Sequence, residues 1–317
     1  MRPATGNWGM AQGAASRSRA LTVPRRAAYS LRVIARRPGP GFEPPAELAL
    51  DATTAAALLA DFIRREMKKA GFRRAVLGLS GGVDSALAAA LACRALSPGN
   101  VLCALLPYRA SSPESLRDGR RVARLLRARS VRIDITPMVD AYFRRRRDAS
   151  RLRRGNKMAR ERMSILYDLS ARDKSMVIGT SNKTELLLGY GTIFGDLASG
   201  INPLGDLYKT QVRALALHLG IPRDIVFKVP TADLWAGQAD EKEIGYPYEK
   251  VDRLLVRLVD RRDRPEEAIA AGFPRRMIDR ITRSIEASQF KRRPPLIAKV
   301  SARTVGVDFL YPRDRGR

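Results

Sequence analysis

The sequence predicts an α/β fold, a doubly wound parallel sheet flanked by helices in a Rossmann-like arrangement. Short apolar runs typical of buried strands alternate with helical patterns from about residue 45 onward, and a glycine-rich turn joins the first run to the helix after it. The 317 residues suffice to bury a sizeable core. Glycine or charge interrupts every apolar run well short of the roughly 20 residues that a bilayer span needs, so we expect no transmembrane helix.

The apolar periodicity places each element of this fold. Buried strands are expected at 75–80, 101–108, 131–137 and 175–181. Helices are expected at 47–71, 84–96, 112–129, 155–172 and 182–189, and then at 207–220, 248–259 and 274–288. Ser112, Pro113 and Glu114 give the third of these helices a clear start. The polar stretch 230–247 predicts a loop, and its part 235–247 could serve as a lid over a site.

Charge and composition divide the chain into a domain and two basic tails. Residues 1–42 hold eight arginines and no acid, which favours a disordered tail or a misassigned start codon over a targeting peptide. We expect the domain at 43–300 and a basic tail at 301–317. The net charge of +27 would attract nucleic acid, a membrane surface or nucleotide phosphates. The arginines are spread along the chain, so nucleic-acid binding is not favoured.

Cysteine and histidine content restricts the metal chemistry. Cys93 and Cys103 are the two cysteines, each within an apolar run, and they indicate buried thiols in a reducing, cytoplasmic compartment. His218 is the single histidine, so a zinc site built from histidine and cysteine is excluded. Its helical setting indicates a structural or surface residue.

A glycine turn follows the first predicted strand. In LGLSGGVDSALAAALA, residues 77–92, two glycines, two hydroxyls and one carboxylate separate the strand from the helix. Glycine lets the backbone approach a ligand, and free N–H groups at a helix start favour an anion. We therefore predict a phosphate-binding loop, although the motif G-x-x-x-x-G-K-[ST] is missing from the sequence. A plain tight turn with Asp84 as a helix cap is the alternative.

Asp84 makes the turn informative, because a carboxylate beside phosphates needs a cation between them. Mg²⁺ takes one or two carboxylates together with phosphate oxygens and water. Glu185 supplies a second carboxylate from the polar turn GTSNKTE, residues 179–185, after the fourth predicted strand. Ligands of doubly wound sheets bind at the carboxyl ends of the strands. Both turns are therefore expected at one Mg²⁺–nucleotide site.

The turn SGGVDS resembles the pyrophosphate-binding loop of the adenine nucleotide alpha-hydrolase, or N-type ATP pyrophosphatase, superfamily. Other segments resemble NAD synthetase in sequence and order: GNKMARERMSILYDLS, VIGTSNKTELLLGYGTIFGD, PLGDLYKTQVRALALHLGIP, VPTADLWAGQADEKEIGYPYEKVD and FKRRPP. The resemblance covers residues 46–299. It implies an adenylated carboxylate intermediate, through which deamido-NAD, ATP and ammonia give NAD, AMP and pyrophosphate.

The resemblance also implies the roles of individual residues. ATP would contact Thr180, Lys209 and Thr231, and its phosphates would contact Gly78, Leu79, Ser80, Gly81, Gly82, Val83, Asp84 and Ser85. Mg²⁺ would bind Asp84 and Glu185. Deamido-NAD would contact Asn156, Arg160 and Lys291, and Asp196 would contact the substrate or the transition state. From the residues alone, Lys209 and Arg160 could equally be exposed helix charges, and Thr180 and Thr231 could stabilise turns. Arg162 could face solvent as easily as a ligand.

Three positions depart from the ammonia-dependent pattern. Ile193 stands where the family has a lysine, Gly200 where it has an aspartate, and Phe290 where it has a histidine. The segment GTIFGDLASGIN looks more like the synthetase half of the glutamine-dependent branch. The resemblance therefore carries over to fewer of the dinucleotide contacts than of the ATP contacts.

The resemblance further suggests a homodimer and an external source of ammonia. Residues 1–42 contain no cysteine and are too short for an amidase domain, so free ammonia or a separate glutamine amidotransferase is expected to supply the nitrogen. The rival hypotheses are a tRNA-modifying relative, which would need a thiol pair or an RNA-binding appendage, and a non-catalytic binding protein, which would need loss of the loop or the carboxylates. Salt-dependent nucleic-acid binding would favour the first.

Overall fold

Four parallel strands form the central sheet in the order β3-β2-β1-β4, in agreement with the predicted doubly wound architecture. The computed structural model describes residues 42–146, 148–235, 237–293 and 295–308. The strands are β1 Arg74–Gly78, β2 Val101–Leu105, β3 Arg129–Arg132 and β4 Ser175–Val177. Val76 of β1 pairs with Leu102 of β2 on one side and with Val177 of β4 on the other. The carboxyl ends of all four strands consequently lie along one edge.

Twelve α-helices are described around this sheet. They are α1 Ala52–Lys69, α2 Val83–Leu96, α3 Pro113–Leu125, α4 Thr136–Phe143, α5 Arg151–Asp173, α6 Lys183–Leu188, α7 Lys209–His218, α8 Arg223–Val226, α9 Asp240–Ile244, α10 Tyr248–Leu255, α11 Pro265–Ala270 and α12 Arg275–Ala287. A π-helical turn, Val256–Asp260, continues α10, and 3₁₀ turns lie at Ala46–Leu48, Pro98–Asn100 and Gln289–Arg292. The start of α3 is as predicted, with Ser112 accepting from Glu114 N and Pro113 in the first turn.

The helices cover both faces of the sheet. α2 packs on β1 and β2, and α1 and α7 lie against the outer side of α2. α5 packs on β1 and β4 from the opposite face of the sheet. Right-handed crossovers require this, because β2 and β3 lie on one side of β1 and β4 lies on the other. α2 lies between the sheet and the helices α1 and α7. This position explains why α2 is rich in alanine and buried from Ser85 to Cys93. A second core joins α10 and α12 around Tyr248 and Met277.

Several sequence predictions need correction. The third strand ends at Arg132, because Asp134 accepts a hydrogen bond from Thr136 N and α4 begins at Thr136. The helices α4, α8, α9 and α11 were not predicted, and α9 occupies part of 230–247, which was expected to be a loop. Each of these four helices has eight residues or fewer, too short for a clear helical period.

The remaining composition-based predictions can be placed as well. Cys93 and Cys103 are buried free thiols, and burial raises the pKa of each to about 12. His218 is exposed at the end of α7. In the described part of the chain, no helix combines the length and apolar character of a membrane span. The predicted tail at 1–42 lies outside the described residues except for Phe42, and 309–317 of the other tail also lie outside them.

Candidate active site

The candidate site lies where the strand order reverses. From β1 the chain moves first to β2 and β3, and later returns to β4 on the other side of β1. Such a switch point opens a crevice at the carboxyl ends of the two neighbouring strands. The phosphate loop, defined here as residues 80–85, follows β1, and the turn 179–185 follows β4. The fold therefore brings together the two polar turns that the sequence singled out.

The phosphate loop is organised by its two serines. Ser85 Oγ donates to Gly82 O at 3.0 Å and accepts from Ser80 N at 3.2 Å, while Gly82 N donates to Ser80 Oγ at 3.3 Å. The Ser80 and Ser85 hydroxyl oxygens are 3.1 Å apart. Gly82 caps α2 without a side-chain hydrogen bond. The first N–H groups of α2 thus face the crevice with the partial positive charge of a helix start, which favours an anion.

Gly81 is required by a close approach of two backbones. Its φ is +86°, and a Cβ atom at this position would lie 2.3 Å from Ser115 O in α3. A Cβ atom at Gly119 of α3 would lie 2.6 Å from Leu105 Cδ2 and 3.1 Å from Leu79 O, just before the loop. The absence of side chains at these two positions therefore lets α3 pack directly against the phosphate loop.

A buried triad of charges connects the two turns. The Lys209 Nζ atom, at the start of α7, donates to Asp84 Oδ2 at 2.5 Å and to Glu185 Oε1 at 3.1 Å. The Lys209 side chain is 3% exposed, and the two carboxylate side chains are 17% and 16% exposed. Asn182 completes the contact by donating from Nδ2 to Asp84 Oδ1 at 2.8 Å. Asp84 is consequently not a helix cap, and Lys209 is not an exposed helix charge.

Burial sets the electrostatics of this triad. Desolvation opposes the charged form of Lys209, but the Asp84 and Glu185 carboxylates outweigh it and raise the Lys209 pKa. Desolvation likewise raises the pKa of Glu185, with Lys209 opposing the shift. The Lys209 ammonium also lies 5.0 Å from the centre of the Tyr248 ring. With one cation and two carboxylates, the ionised triad carries a net negative charge that suits a further cation.

A cavity of about 900 Å³ lies at the start of α3. It is lined by Thr231, by Arg109 to Ser115 and by parts of the segment 224–238. Ser115 belongs both to this wall and to the backbone that meets Gly81. Both carboxylate oxygens of Asp233 accept from Ser112 N at 3.1 Å, which attaches the 231–235 segment to the start of α3. The cavity is large enough for a small-molecule ligand, and Thr231 is an exposed residue of its wall.

Four residues expected to contact the second substrate lie in or around one loop, residues 189–197: Asp196 belongs to the loop, and Asn156, Arg160 and Lys291 contact it. Thr192 donates from Oγ1 to Asn156 Oδ1 at 2.8 Å and from N to Asp196 Oδ1 at 2.7 Å. Arg160 Nε donates to Ile193 O at 3.2 Å, and Lys291 Nζ donates to Gly189 O and Gly191 O at 2.8 Å each. Arg160 and Asp196 keep access to solvent.

The positions that depart from the family pattern have different surroundings. A Cβ atom at Gly200 would lie 2.8 Å from Met176 Cγ and 3.3 Å from Val177 O, so this packing leaves no room for an aspartate side chain. Ile193 contributes its carbonyl oxygen to Arg160. Phe290 is exposed near Lys291.

The sequence did not single out Asn182 or resolve the position of Arg162. Asn182 is a capping-box residue of α6, and the same side chain also bonds Asp84. Arg162 Nε donates to Leu106 O at 3.0 Å, and burial lowers the Arg162 pKa while Asp233 and Asp196 oppose the shift. Arg162 therefore faces the interior between the cavity and the 189–197 loop. A hydrophobic pattern could not reveal either contact, because both depend on distant segments.

Apart from Thr231, which lies on the cavity wall, the predicted residues fall into two neighbouring groups. One contains the phosphate loop, the triad and the half-buried Thr180, and the other surrounds the 189–197 loop. Ser181 connects them, because its Oγ donates to Asp196 O at 3.3 Å and its carbonyl oxygen accepts from Asn202 Nδ2 at 2.9 Å. The arrangement can hold phosphates beside buried charges at one end and a second polar substrate at the other.

The chain is similar to several known proteins. The chain is 52% identical over 270 residues to an NH(3)-dependent NAD(+) synthetase of Chlorobaculum parvum, and the match spans 85% of this chain and 98% of that protein. The solved NH3-dependent NAD synthetase of Campylobacter jejuni is 35% identical with a TM-score of 0.67, covering 79% of this chain and 100% of that one. The solved NMN synthetase of Francisella tularensis is 30% identical with a TM-score of 0.71, covering 78% and 99%.

The sequence model of the NAD synthase family matches residues 55–295, which contain every residue of the two groups described above. This match does not favour the tRNA-modifying and non-catalytic alternatives. On the strength of the family match and of the 52% identity over most of the chain, the protein belongs to the NAD synthase family.

Proposed function

We propose that this chain catalyses the ATP-dependent amidation of deamido-NAD with ammonia, giving NAD, AMP and pyrophosphate. It is a carbon–nitrogen ligase, as relatives named NH(3)-dependent NAD(+) synthetase support. The structural observation that supports this function most strongly is the Asp84–Lys209–Glu185 triad beside the phosphate loop. It collects charge where the phosphates of a nucleotide would bind.

The reaction needs activation of a carboxylate, because a carboxylate is a poor electrophile. Its oxygen attacks the α-phosphorus of ATP, the bond between the α-phosphorus and the bridging oxygen breaks, and pyrophosphate leaves. Ammonia then attacks the carbonyl carbon of the adenylate, loses a proton and expels AMP. Two polyanions must meet in the first step, so positive charge and donors at the site offset their repulsion. The α2 start supplies donors, and Arg160, Arg162 and Lys291 supply positive charge, whereas the Lys209 charge is outweighed by its two carboxylates.

We assign Mg²⁺ to Asp84 and Glu185. Their oxygens converge on one ammonium group, so the fold already gathers two carboxylates at a point that accepts a cation. The described residues contain no cluster of three or more histidine, cysteine, aspartate or glutamate side chains that could hold a metal alone. Two carboxylates with phosphate oxygens and water are a usual Mg²⁺ environment. Bound there, Mg²⁺ would offset the negative charge of the phosphates.

We assign the rest of the two substrates to the two groups of residues. The phosphates of ATP contact residues 78–85 and Lys209, and ATP extends past Thr180 toward the cavity wall at Thr231. Deamido-NAD contacts Asn156, Arg160 and Lys291 around the 189–197 loop, with its carboxylate near Asp196. The contact through Ser181 supports this placement, because the reacting groups must meet between the two substrates.

Amidation of nicotinate mononucleotide is a second candidate function. It is favoured by the similarity to a solved NMN synthetase and by Gly200, where the packing excludes the aspartate of the family pattern. Several relatives of 50–54% identity carry the NAD synthetase name, and they favour the dinucleotide.

Assembly, location and domain limits are also proposals. We propose a homodimer, a cytoplasmic location and a catalytic domain at 43–300 with a basic tail at 301–317. Free ammonia, or ammonia from a separate glutamine amidotransferase, serves as the nitrogen source. Sedimentation of the purified chain tests the homodimer.

Four parallel reactions test the function. The purified chain receives ATP and Mg²⁺ with either deamido-NAD or nicotinate mononucleotide, and with either ammonium or glutamine. NAD and AMP in equal amounts with deamido-NAD and ammonium are the expected products. A product only from the mononucleotide would establish the second function, and none in any reaction would refute both. Turnover with glutamine alone would contradict the assignment of ammonia as the direct nitrogen donor.

A further inference from the structure

Asp252 lies behind the triad of Asp84, Lys209 and Glu185. Among the hydrogen bonds of the described residues, none joins Asp252 to a charged atom of the triad. Asp252 is on α10, and none of its surface is exposed. Asp252 Oδ1 accepts from Thr184 Oγ1 at 2.6 Å. Asp252 Oδ2 accepts from Thr210 Oγ1 at 2.6 Å and from Thr210 N at 2.7 Å. A fully buried carboxylate is costly unless such donors satisfy it.

The partners of Asp252 are the immediate neighbours of two triad residues. Thr184 precedes Glu185 on α6, and Thr210 follows Lys209 on α7. Thr184 Oγ1 also accepts from Lys209 N at 3.0 Å, which links the starts of the two helices directly. Asp252, Thr184 and Thr210, here called the brace, therefore fix α6 relative to α7. The same relation places the Lys209 ammonium against the Glu185 carboxylate.

We propose that Asp252 is a positioning residue for the ATP half of the reaction, acting through Thr184 and Thr210 on Glu185 and Lys209. This inference rests on the proposed function. A carboxylate fits the brace because two oxygens accept three donors. An asparagine offers one acceptor oxygen, and its NH₂ group faces a hydroxyl that already donates. The substitution therefore loosens the brace without changing the size of the side chain.

The test measures ATP and deamido-NAD kinetics separately for Asp252→Asn. Loss of a supporting hydrogen-bond partner typically costs about 10- to 100-fold in activity or affinity, and we expect kcat/KM for ATP to fall in this range. We expect the KM for ATP to rise and the KM for deamido-NAD to stay within about twofold. A merely structural role would lower the active fraction, which reduces kcat and leaves both KM values unchanged.

Matched variants separate positioning from stability. Val251→Ala removes buried apolar volume next to Asp252 on the same helix and leaves the brace intact, so it should move neither KM. Thr184→Val removes the hydroxyl and should reproduce the ATP defect, whereas Thr184→Ser keeps the hydroxyl and should restore most of the lost kcat/KM. In the double variant Asp252→Asn/Thr184→Val the losses should be less than additive, because both act through one contact.

These measurements distinguish failure of the proposed function from failure of the role proposed for Asp252. Absence of NAD with the unsubstituted chain would overturn the proposed function itself. An active chain whose Asp252→Asn variant resembles Val251→Ala would overturn the role of Asp252. If circular dichroism shows that Asp252→Asn does not fold, the Thr184→Val and Thr184→Ser pair decides. Equal KM values for ATP in that pair would then refute the inference.

Discussion

The proposed ATP half of the site is held by buried charges, whereas in the proposed dinucleotide half cations bond to backbone carbonyls closer to the surface. The first half comprises the phosphate loop, the triad and the brace, and its lysine is 3% exposed. In the second half, Arg160 and Lys291 donate to carbonyl oxygens of the 189–197 loop. Buried charges tolerate few substitutions, because each needs its partners. Exposed cations bonded to carbonyls can change at lower cost.

Two of the three positions named above as differing from the family pattern lie in or beside the second half. Ile193 belongs to the 189–197 loop and Phe290 precedes Lys291, and none of the three lies in the proposed ATP half. At Gly200, a Cβ atom would lie 2.8 Å from Met176 Cγ, so a side chain there would have to displace Met176. From the burial of the two halves, we expect substitutions to cost more in the proposed ATP half than in the proposed dinucleotide half.

Asp84→Asn should have the largest effect. The variant removes one carboxylate charge from the proposed Mg²⁺ site and leaves Lys209 paired with Glu185 alone. We expect turnover to fall about 100- to 1000-fold, the range for loss of a preorganised electrostatic contact. Initial rates of NAD formation with circular dichroism measure it. Asp279→Asn removes an exposed carboxylate on α12 and should leave the rate unchanged. Normal turnover of Asp84→Asn would refute the metal assignment.

Gly81→Ala should disrupt the ATP half through packing. Positive φ alone costs about 1–2 kcal/mol for alanine, and overpacking against Ser115 O adds about 1–3 kcal/mol. Gly272→Ala is the matched control, since Gly272 also has positive φ, at +90°, but has no atom within 4 Å of a Cβ. Denaturant unfolding should show the larger loss of unfolding free energy for Gly81→Ala. Equal losses of unfolding free energy in the two variants would contradict the close packing of α3 against the phosphate loop.

Asp252 should make folding stability depend on pH. Burial raises its pKa from 3.8 to about 6, although the threonine donors oppose the shift. The folded state then binds the Asp252 proton more tightly than the unfolded state does. The contribution of Asp252 to the free energy of unfolding is therefore full below about pH 4 and is lost as the pH rises through about 6. The two-unit difference corresponds to at most about 3 kcal/mol. The free energy of unfolding of the unsubstituted chain, minus that of Asp252→Asn, should fall across this window. A flat difference would contradict the shift.

Arg160→Ala should have the smallest effect and should act on the dinucleotide half. Loss of one exposed charge-assisted contact is worth roughly 1.5 kcal/mol, so the KM for deamido-NAD should rise about tenfold while the KM for ATP stays constant. Arg172→Ala, near the far end of the same helix, should change neither value. A rise in the KM for ATP would show that the two halves are not separate.

The motifs and the family resemblance singled out residues that the fold brings close together, but not the contacts between them. Asp84, Glu185 and Lys209 could be chosen from the motifs, but their mutual ion pairs could not, because the three residues come from separate turns and only the fold joins them. Asp252 gave no signal, since an acidic residue in an amphipathic pattern such as YEKVDRLL normally lies on the solvent face. α4 was missed because the alternating pattern of 131–137 favours a strand through Thr136, where the helix begins.

An isotope-transfer experiment tests the central claim, that the site adenylates the substrate carboxylate, most directly. Deamido-NAD labelled with ¹⁸O in its nicotinate carboxylate is converted with ammonium and unlabelled ATP, and AMP and pyrophosphate are analysed by mass spectrometry. The account predicts one ¹⁸O atom in the phosphate of AMP and none in pyrophosphate, because the attacking oxygen stays with the α-phosphorus. Label in pyrophosphate or orthophosphate, or ADP as the product, would contradict it.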